Sequence, residues 1–130
     1  MAQLQNLVLK DREDATRTFV PRDIRNGVGE VVETTGVPVG ESRYSISLRK
    51  TSTGRYKVTI KFVNPIVQDV TVNGVTKPEV VRTAYATLDF DFAPTSTTEE
   101  RDNFVGMLQS SLDKTATLVD KTLVDLEGVY

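Results

Sequence analysis

Three long segments of this chain alternate polar and apolar side chains with a period of two, a pattern that fits a β-sheet and defeats a helix. They are Arg43–Lys50, Arg55–Asn64 and Val80–Phe92. Their even positions are Tyr44, Ile46 and Leu48; Val58, Ile60 and Phe62; Ala84, Ala86, Leu88, Phe90 and Phe92. Their odd positions are Arg43, Ser45, Ser47 and Arg49; Lys57, Thr59 and Lys61; Thr83, Tyr85, Thr87, Asp89 and Asp91. Successive strand side chains point to opposite faces, so the sheet has one apolar core face and one face of hydroxyls and charges. A tight turn at Thr53-Gly54 joins the first two segments.

The rest of the chain punctuates around that sheet. Leu4–Lys10 and Thr16–Pro21 predict a hairpin across the charged turn Asp11–Asp14. Asn26-Gly27 is a turn dipeptide, because both residues tolerate positive φ. Gly29–Thr34 predicts a short strand, and Thr35–Ser42, with Gly36, Pro38 and Gly40, a loop. Pro65, Asn73-Gly74 and Pro78 predict a second loop over Ile66–Glu79. After Pro94 the pattern turns helical. Ser96-Thr97-Thr98-Glu99 fits a capping box with Ser96 as the cap, and Glu99 and Glu100 suit the positive end of a helix dipole. Phe104, Val105, Leu108 and Leu112 form one apolar stripe; Val119, Leu123, Leu126 and Tyr130 form another. No Gly or Pro lies near Asp113-Lys114, which leaves open one bent helix or two. The amphipathic C-terminal segment is the available cover for the apolar face of the sheet.

Composition removes many functions. The 130 residues make one domain and contain neither cysteine nor histidine. Disulfides and thiolate chemistry are excluded, and so are the commonest general base and the commonest transition-metal ligand. No apolar run approaches the roughly 20 residues of a membrane helix, and Met1-Ala2-Gln3-Leu4 reads as a plain cytoplasmic start. Asp89 and Asp91, on one face with Lys61 nearby, are the sole foothold for acid–base work or a divalent cation; a solvated strand end explains them more simply. We expect no enzyme, catalytic residue, metal or cofactor, and no membrane partner.

The charges separate along the chain. Arg43 to Gln68 holds Arg43, Arg49, Lys50, Arg55, Lys57 and Lys61 and no acid. Asp89 to Glu127 holds nine acids against Arg101, Lys114 and Lys121. The middle of the chain therefore suits a polyanion and the end does not. Hydroxyls beside cations can meet base edges and phosphates, and Tyr85 offers a plane for an unpaired base. A merely solvated Thr/Lys face is the competing reading.

The run Tyr56-Lys-Val-Thr-Ile-Lys61 leading to Pro65, then Thr71-Val-Asn-Gly-Val75 and Pro78, resembles the levivirus coat proteins. So do Asn26-Gly27-Val28, Ser45-Ile46-Ser47 with Arg49, Arg82-Thr-Ala-Tyr85, Ser96-Thr-Thr-Glu-Glu-Arg101 and the closing Gly128-Val129-Tyr130. The resemblance runs in register over essentially the whole chain. It implies an α+β fold: an N-terminal hairpin (1–21), a five-stranded antiparallel meander sheet (29–92) and two C-terminal helices (97–127). Two such chains would interlock as a homodimer, helices of one over the sheet of the other, with a continuous ten-stranded sheet. The dimers would build a T=3 icosahedral virion around single-stranded genomic RNA, made and assembled in the bacterial host cytoplasm. The loop holding Asn73, Gly74 and Pro78 would line the capsid axes, and without cysteine it could carry no cross-link there.

The resemblance also implies translational repression of the replicase through an RNA operator hairpin. Ser45, Ser47, Thr59 and Lys61, with Val28 beside them, would form the pocket for an unpaired adenine. Tyr85 would stack on a loop base, and Arg43, Arg49, Arg55 and Lys57 would meet phosphates. Thr87 stands where relatives often carry Asn or Asp, a departure that bears on loop-base specificity. A free-standing RNA-binding regulator that never assembles is the alternative.

Overall fold

Each Asn-Gly dipeptide of the sequence closes a hairpin in the computed structural model, which describes residues 2–33 and 40–130. Asn26 and Gly27 have φ of 51° and 78°, and Asn73 and Gly74 have 52° and 77°. Two successive positive φ values are the signature of a turn whose twist matches that of paired strands. Along the chain lie β1 (Leu7–Lys10), β2 (Thr16–Arg25), β3 (Val28–Val32), β4 (Arg43–Lys50), β5 (Tyr56–Val72) and β6 (Val75–Phe92). The strands lie in chain order in one six-stranded antiparallel meander. Strand β2 serves both the N-terminal hairpin with β1 and the five-stranded sheet β2–β6, so the expected α+β architecture is the one observed. The loop read over Thr35–Ser42 lies largely outside the described residues.

Several elements differ from the expectation, and β1 starts at Leu7 rather than Leu4. Ile66–Glu79 is not a loop: β5 runs to Val72 and β6 begins at Val75, making a long two-stranded arm. The prolines that suggested a loop are tolerated because of where they fall. The β4 ladder ends at the Arg43–Val63 pair, so Pro65 lies beyond it, and Pro78 sits in β6 at the sheet edge, where a missing N–H costs little. Thr71 and Thr76 hydroxyls meet across the arm at 2.8 Å. The first hairpin also extends further than Pro21, because β2 absorbs Arg22 as a bulge between Pro21 and Asp23 and continues to Arg25.

The buried centre of the sheet is small. Phe19, Val31, Val32 and Ser42 are the buried residues among those described. Phe62 joins them through ring contacts with Phe19 at 6.0 Å and Tyr44 at 6.1 Å, and burial raises the Tyr44 phenol above its ordinary pKa. Ser42 donates to Asn64 at 2.7 Å, which settles its polar group. Arg17 Nε donates to Glu33 at 2.7 Å, pinning the start of β2 to the end of β3. Gly40 is required by closeness: a Cβ there would stand 2.2 Å from Val67 Cγ2. On the even face of the sheet Leu48 and Ile46 stay exposed, at 63% and 45%, whereas Val58, Ile60, Leu88, Phe90 and Phe92 are half-buried.

The chain divides into two compact units, one reaching Asp91 and the other spanning Phe92–Tyr130. The second holds α1 (Thr98–Ser111) and α2 (Thr117–Leu123). Its capping box is one residue later than the sequence suggested. Thr97 Oγ1 accepts from the Glu100 N–H at 3.2 Å, and Glu100 accepts from the Thr97 N–H at 3.4 Å. Ser96 is already engaged, donating to the Ala93 carbonyl and receiving Arg101, so the overlapping Ser-Thr-Thr-Glu-Glu run resolves in favour of Thr97. The helix stops without Gly or Pro because Asp113 Oδ1 accepts both the N–H and the hydroxyl of Thr115 at 2.9 Å. Such a turn competes with the helical ladder. Phe92 and Phe104 pack edge to face at 5.7 Å, yet neither helix has a buried residue.

Candidate nucleic-acid interface

Strand register arranges the odd-numbered side chains of β4 and β5 as four cross-strand rungs: Arg49–Lys57, Ser47–Thr59, Ser45–Lys61 and Arg43–Val63. Strand β3 extends two of them, Val28 opposite Ser47 and Glu30 opposite Ser45. Strand alternation thus puts Val28, Ser47 and Thr59 on one line, with Ser45 and Lys61 on the next. Consecutive rungs are two residues apart, or about 7 Å.

Strand β6 supplies the far side of this face. Thr59 donates to Asp89 at 2.9 Å, and Arg55 donates to Asp91 at 2.6 Å. Both aspartates therefore lie on the polar face, and alternation sets Tyr85 and Thr87 there too. Tyr85 is 76% exposed, and it lines a cavity with Arg43 and Val63. The two carboxylates have local partners, which accounts for them without acid–base chemistry.

The electrostatics of the face are uneven. Arg49 and Lys57 oppose one another directly, an arrangement that costs stability in a sheet. Among the described residues, Arg43, Arg49, Lys57 and Lys61 have no carboxylate within ion-pair distance, whereas Arg55 does. An uncompensated cationic rung beside a hydroxyl rung is a surface for a polyanion that also carries hydrogen-bonding groups.

The sequence reading missed three side chains near this surface. Glu30 stands beside Ser45 and meets Arg22 at 3.5 Å. Arg22 reaches it from the β2 bulge, and bulges re-aim side chains. Glu41 shares a cavity with Arg22 and Arg43. The spacing of Glu30, two residues from Val28 on the same face of β3, was the one available signal; the bulge left none. The other sequence-derived group, Asn73, Gly74 and Pro78, is far from the rungs along the β5–β6 arm, with Asn73-Gly74 at its tip.

Residues 2–130 match the family model described as levivirus coat protein. The chain belongs to that family. It is similar to the capsid protein of Pseudomonas phage PRR1, with 64% identity over 131 residues covering 99% of this chain and 100% of the relative. Its fold matches the bacteriophage GA protein capsid with a TM-score of 0.81 and 26% identity, covering 99% of both chains. A virus-like particle of Beihai levi-like virus 21 matches equally, at TM-score 0.81, 27% identity and 99% of each chain. The chain is thus a capsid protein of an RNA phage. In this coat protein the rungs lie on one face of the sheet and the open apolar residues Ile46 and Leu48 on the other. No helix among the described residues is long and apolar enough to cross a membrane.

Proposed function

We propose that this coat protein pairs into an interlocked homodimer, assembles as a T=3 icosahedral shell, and binds single-stranded RNA on the rung face of its sheet. The observation that carries the RNA reading is the set of four rungs, where unpaired cations alternate with hydroxyls. In this reading Val28, Ser45, Ser47, Thr59 and Lys61 hold an unpaired adenine, and Tyr85 stacks on a loop base with Thr87 beside it. Arg43, Arg49 and Lys57 neutralise phosphates, and Arg55 joins them by exchanging Asp91 for RNA. The ligand is an operator hairpin at the replicase start, so binding represses translation before assembly sequesters the genome. Thr59 and Asp89 form a hydrogen bond that fixes the hydroxyl beside the adenine pocket.

The dimer is supported by what each unit leaves open. Strand β6 is an 18-residue edge with unpaired backbone groups, which invites a second copy. Five strands from each chain would then make the ten-stranded sheet. Ile46 and Leu48 on the sheet, and Phe104, Met107, Leu118 and Leu123 on the helices, are large exposed apolar side chains that a partner's elements would cover. Among the described residues Phe19, Val31 and Val32 are the buried hydrophobic ones, fewer than a domain of this size ordinarily buries.

Electron microscopy of protein expressed in bacteria, with the 260/280 nm absorbance ratio of the same fraction, tests the proposal. Uniform round particles containing nucleic acid are expected. Dimers without particles at any concentration, yet with hairpin affinity, would instead establish a non-assembling regulator.

A further inference from the structure

The two Asn-Gly turns share one local sequence and one backbone shape, yet they stand on different supports. Each reads Asn-Gly-Val, at 26–28 and at 73–75. Their φ values are 51° and 78° in one and 52° and 77° in the other, and all four turn residues are exposed. Asn26-Gly27 is braced by a third strand. Val28 opposes both Arg25 of β2 and Ser47 of β4, and Arg25 forms an ion pair with Asp23. Asn73-Gly74 instead closes the arm, where β5 has run past its last rung with β4 at Val63. Residues 71–78 are exposed throughout, and the Thr71 and Thr76 hydroxyls tie the two strands just below the tip. A lone pair of strands is marginally stable, so the arm tip opens at a lower free-energy cost than the braced turn.

We infer that Asn73-Gly74 is a site of spontaneous modification, deamidation through a cyclic imide, and that the fold protects Asn26-Gly27 from the same reaction. Gly74 has no Cβ to shield its backbone nitrogen. The closed turn fixes the backbone in one conformation, and ring closure runs through others, so reaction waits on opening. The Gly74 nitrogen then gives its proton to hydroxide and attacks Asn73 Cγ. The N–Cγ bond forms, the Cγ–Nδ2 bond breaks, and ammonia leaves with a proton from water, which restores the hydroxide. Water next opens the imide at one of its two carbonyls. Opening at Cγ yields aspartate; opening at the main-chain carbonyl yields isoaspartate, whose backbone runs through Cβ and Cγ. No electrons are exchanged, and the net change is amide plus water to carboxylate plus ammonium.

The two products act differently on the arm. Asp-Gly makes the same two-residue turn as Asn-Gly, so aspartate leaves the hairpin closed. It adds a negative charge to an arm that already carries Asp69 and Glu79 against Lys77. Isoaspartate puts an extra carbon into a turn whose length sets the strand register, which pulls Thr71 away from Thr76. Aged copies of the chain therefore diverge from new ones at the arm tip, and the fold selects which of two equal sequences ages.

Incubation of the full-length protein at mildly alkaline pH, followed by tryptic peptide mapping, tests this. Trypsin leaves Lys77-Pro78 intact, so Asn73 lies in peptide 62–82 and Asn26 in peptide 26–43. In the native protein, conversion of amide to acid should be at least about fivefold faster in 62–82 than in 26–43. In urea, where the shared local sequence alone counts, the two rates should agree within about twofold. A smaller native ratio, a larger ratio in urea, or conversion at neither site while the unfolded chain reacts would each overturn the assignment. Hydrogen exchange separates the products. Asn73→Asp should keep wild-type protection of the arm amides, and the isoaspartate fraction of aged protein should lose it. Protection retained in that fraction would overturn the register argument.

Discussion

The Arg49–Lys57 rung should trade stability for binding, and the two effects can be measured with opposite signs. Arg49 and Lys57 are directly opposed on adjacent antiparallel strands, and neither has a carboxylate partner among the described residues. Like charges so placed destabilise a sheet by about 0.2–1 kcal/mol, less at high salt because the site is exposed. Arg49→Ala should therefore raise the urea midpoint of the free protein by an amount worth a few tenths of a kcal/mol. Part of that gain is offset where the arginine stem covers apolar surface. The same change removes one phosphate contact, so log K against log salt should flatten by about 0.7–0.9 for hairpin RNA. The assay is a urea melt at fixed protein concentration, since dimerisation couples to folding, paired with anisotropy between about 50 and about 200 mM salt. A variant that loses stability and keeps its salt slope would instead show that the rung is structural and meets no phosphate.

Three further outcomes follow from particular contacts. Tyr85→Ala and Lys61→Ala should each weaken hairpin binding by about 1–3 kcal/mol, read by filter binding or anisotropy, through lost stacking and a lost base contact. Glu33→Gln should cost about 1–3 kcal/mol in a chemical melt, because it breaks a charge-assisted hydrogen bond to Arg17 at the hairpin root. The hydrogen bond from Arg17 holds the Glu33 carboxyl below its ordinary 4.5. Stability from this pair is therefore fully present above that value and is lost as pH falls through the lowered one; the acid side of the wild-type stability profile should flatten in Glu33→Gln. Thr97→Ala should destabilise the helical unit by about 1 kcal/mol through loss of the cap, as followed by circular dichroism.

What the sequence revealed depended on whether a signal was periodic or positional. Arg43–Lys50 is β4 to the residue, because strict alternation and a Gly54 turn with φ of 85° bound it on one side. The rungs were legible for the same reason: once two strands pair in register, odd meets odd. The arm over Ile66–Glu79 was not, since Pro65 and Pro78 are breakers in a central strand but tolerable beyond a ladder or along an edge, and a sequence does not say which. The helix break was hidden because Asp113 ends α1 through a side-chain turn rather than through Gly or Pro. The cap moved by one residue because two overlapping capping boxes were available and only the neighbours of Ser96, Ala93 and Arg101, decide between them. The cavity beside Tyr85 could not be read at all: it needs the Arg22 bulge to bring β2 to a site otherwise built from β4, β5 and β6.

Ultraviolet crosslinking of RNA inside purified particles, followed by digestion and mass spectrometry, shows which face of the protein meets the RNA. Crosslinks should concentrate in peptides covering Arg43–Lys61 and Tyr85, on the rung face. Crosslinks concentrated instead in Thr98–Leu123, with the rung peptides unmodified, would contradict that placement and set the genome against the helices.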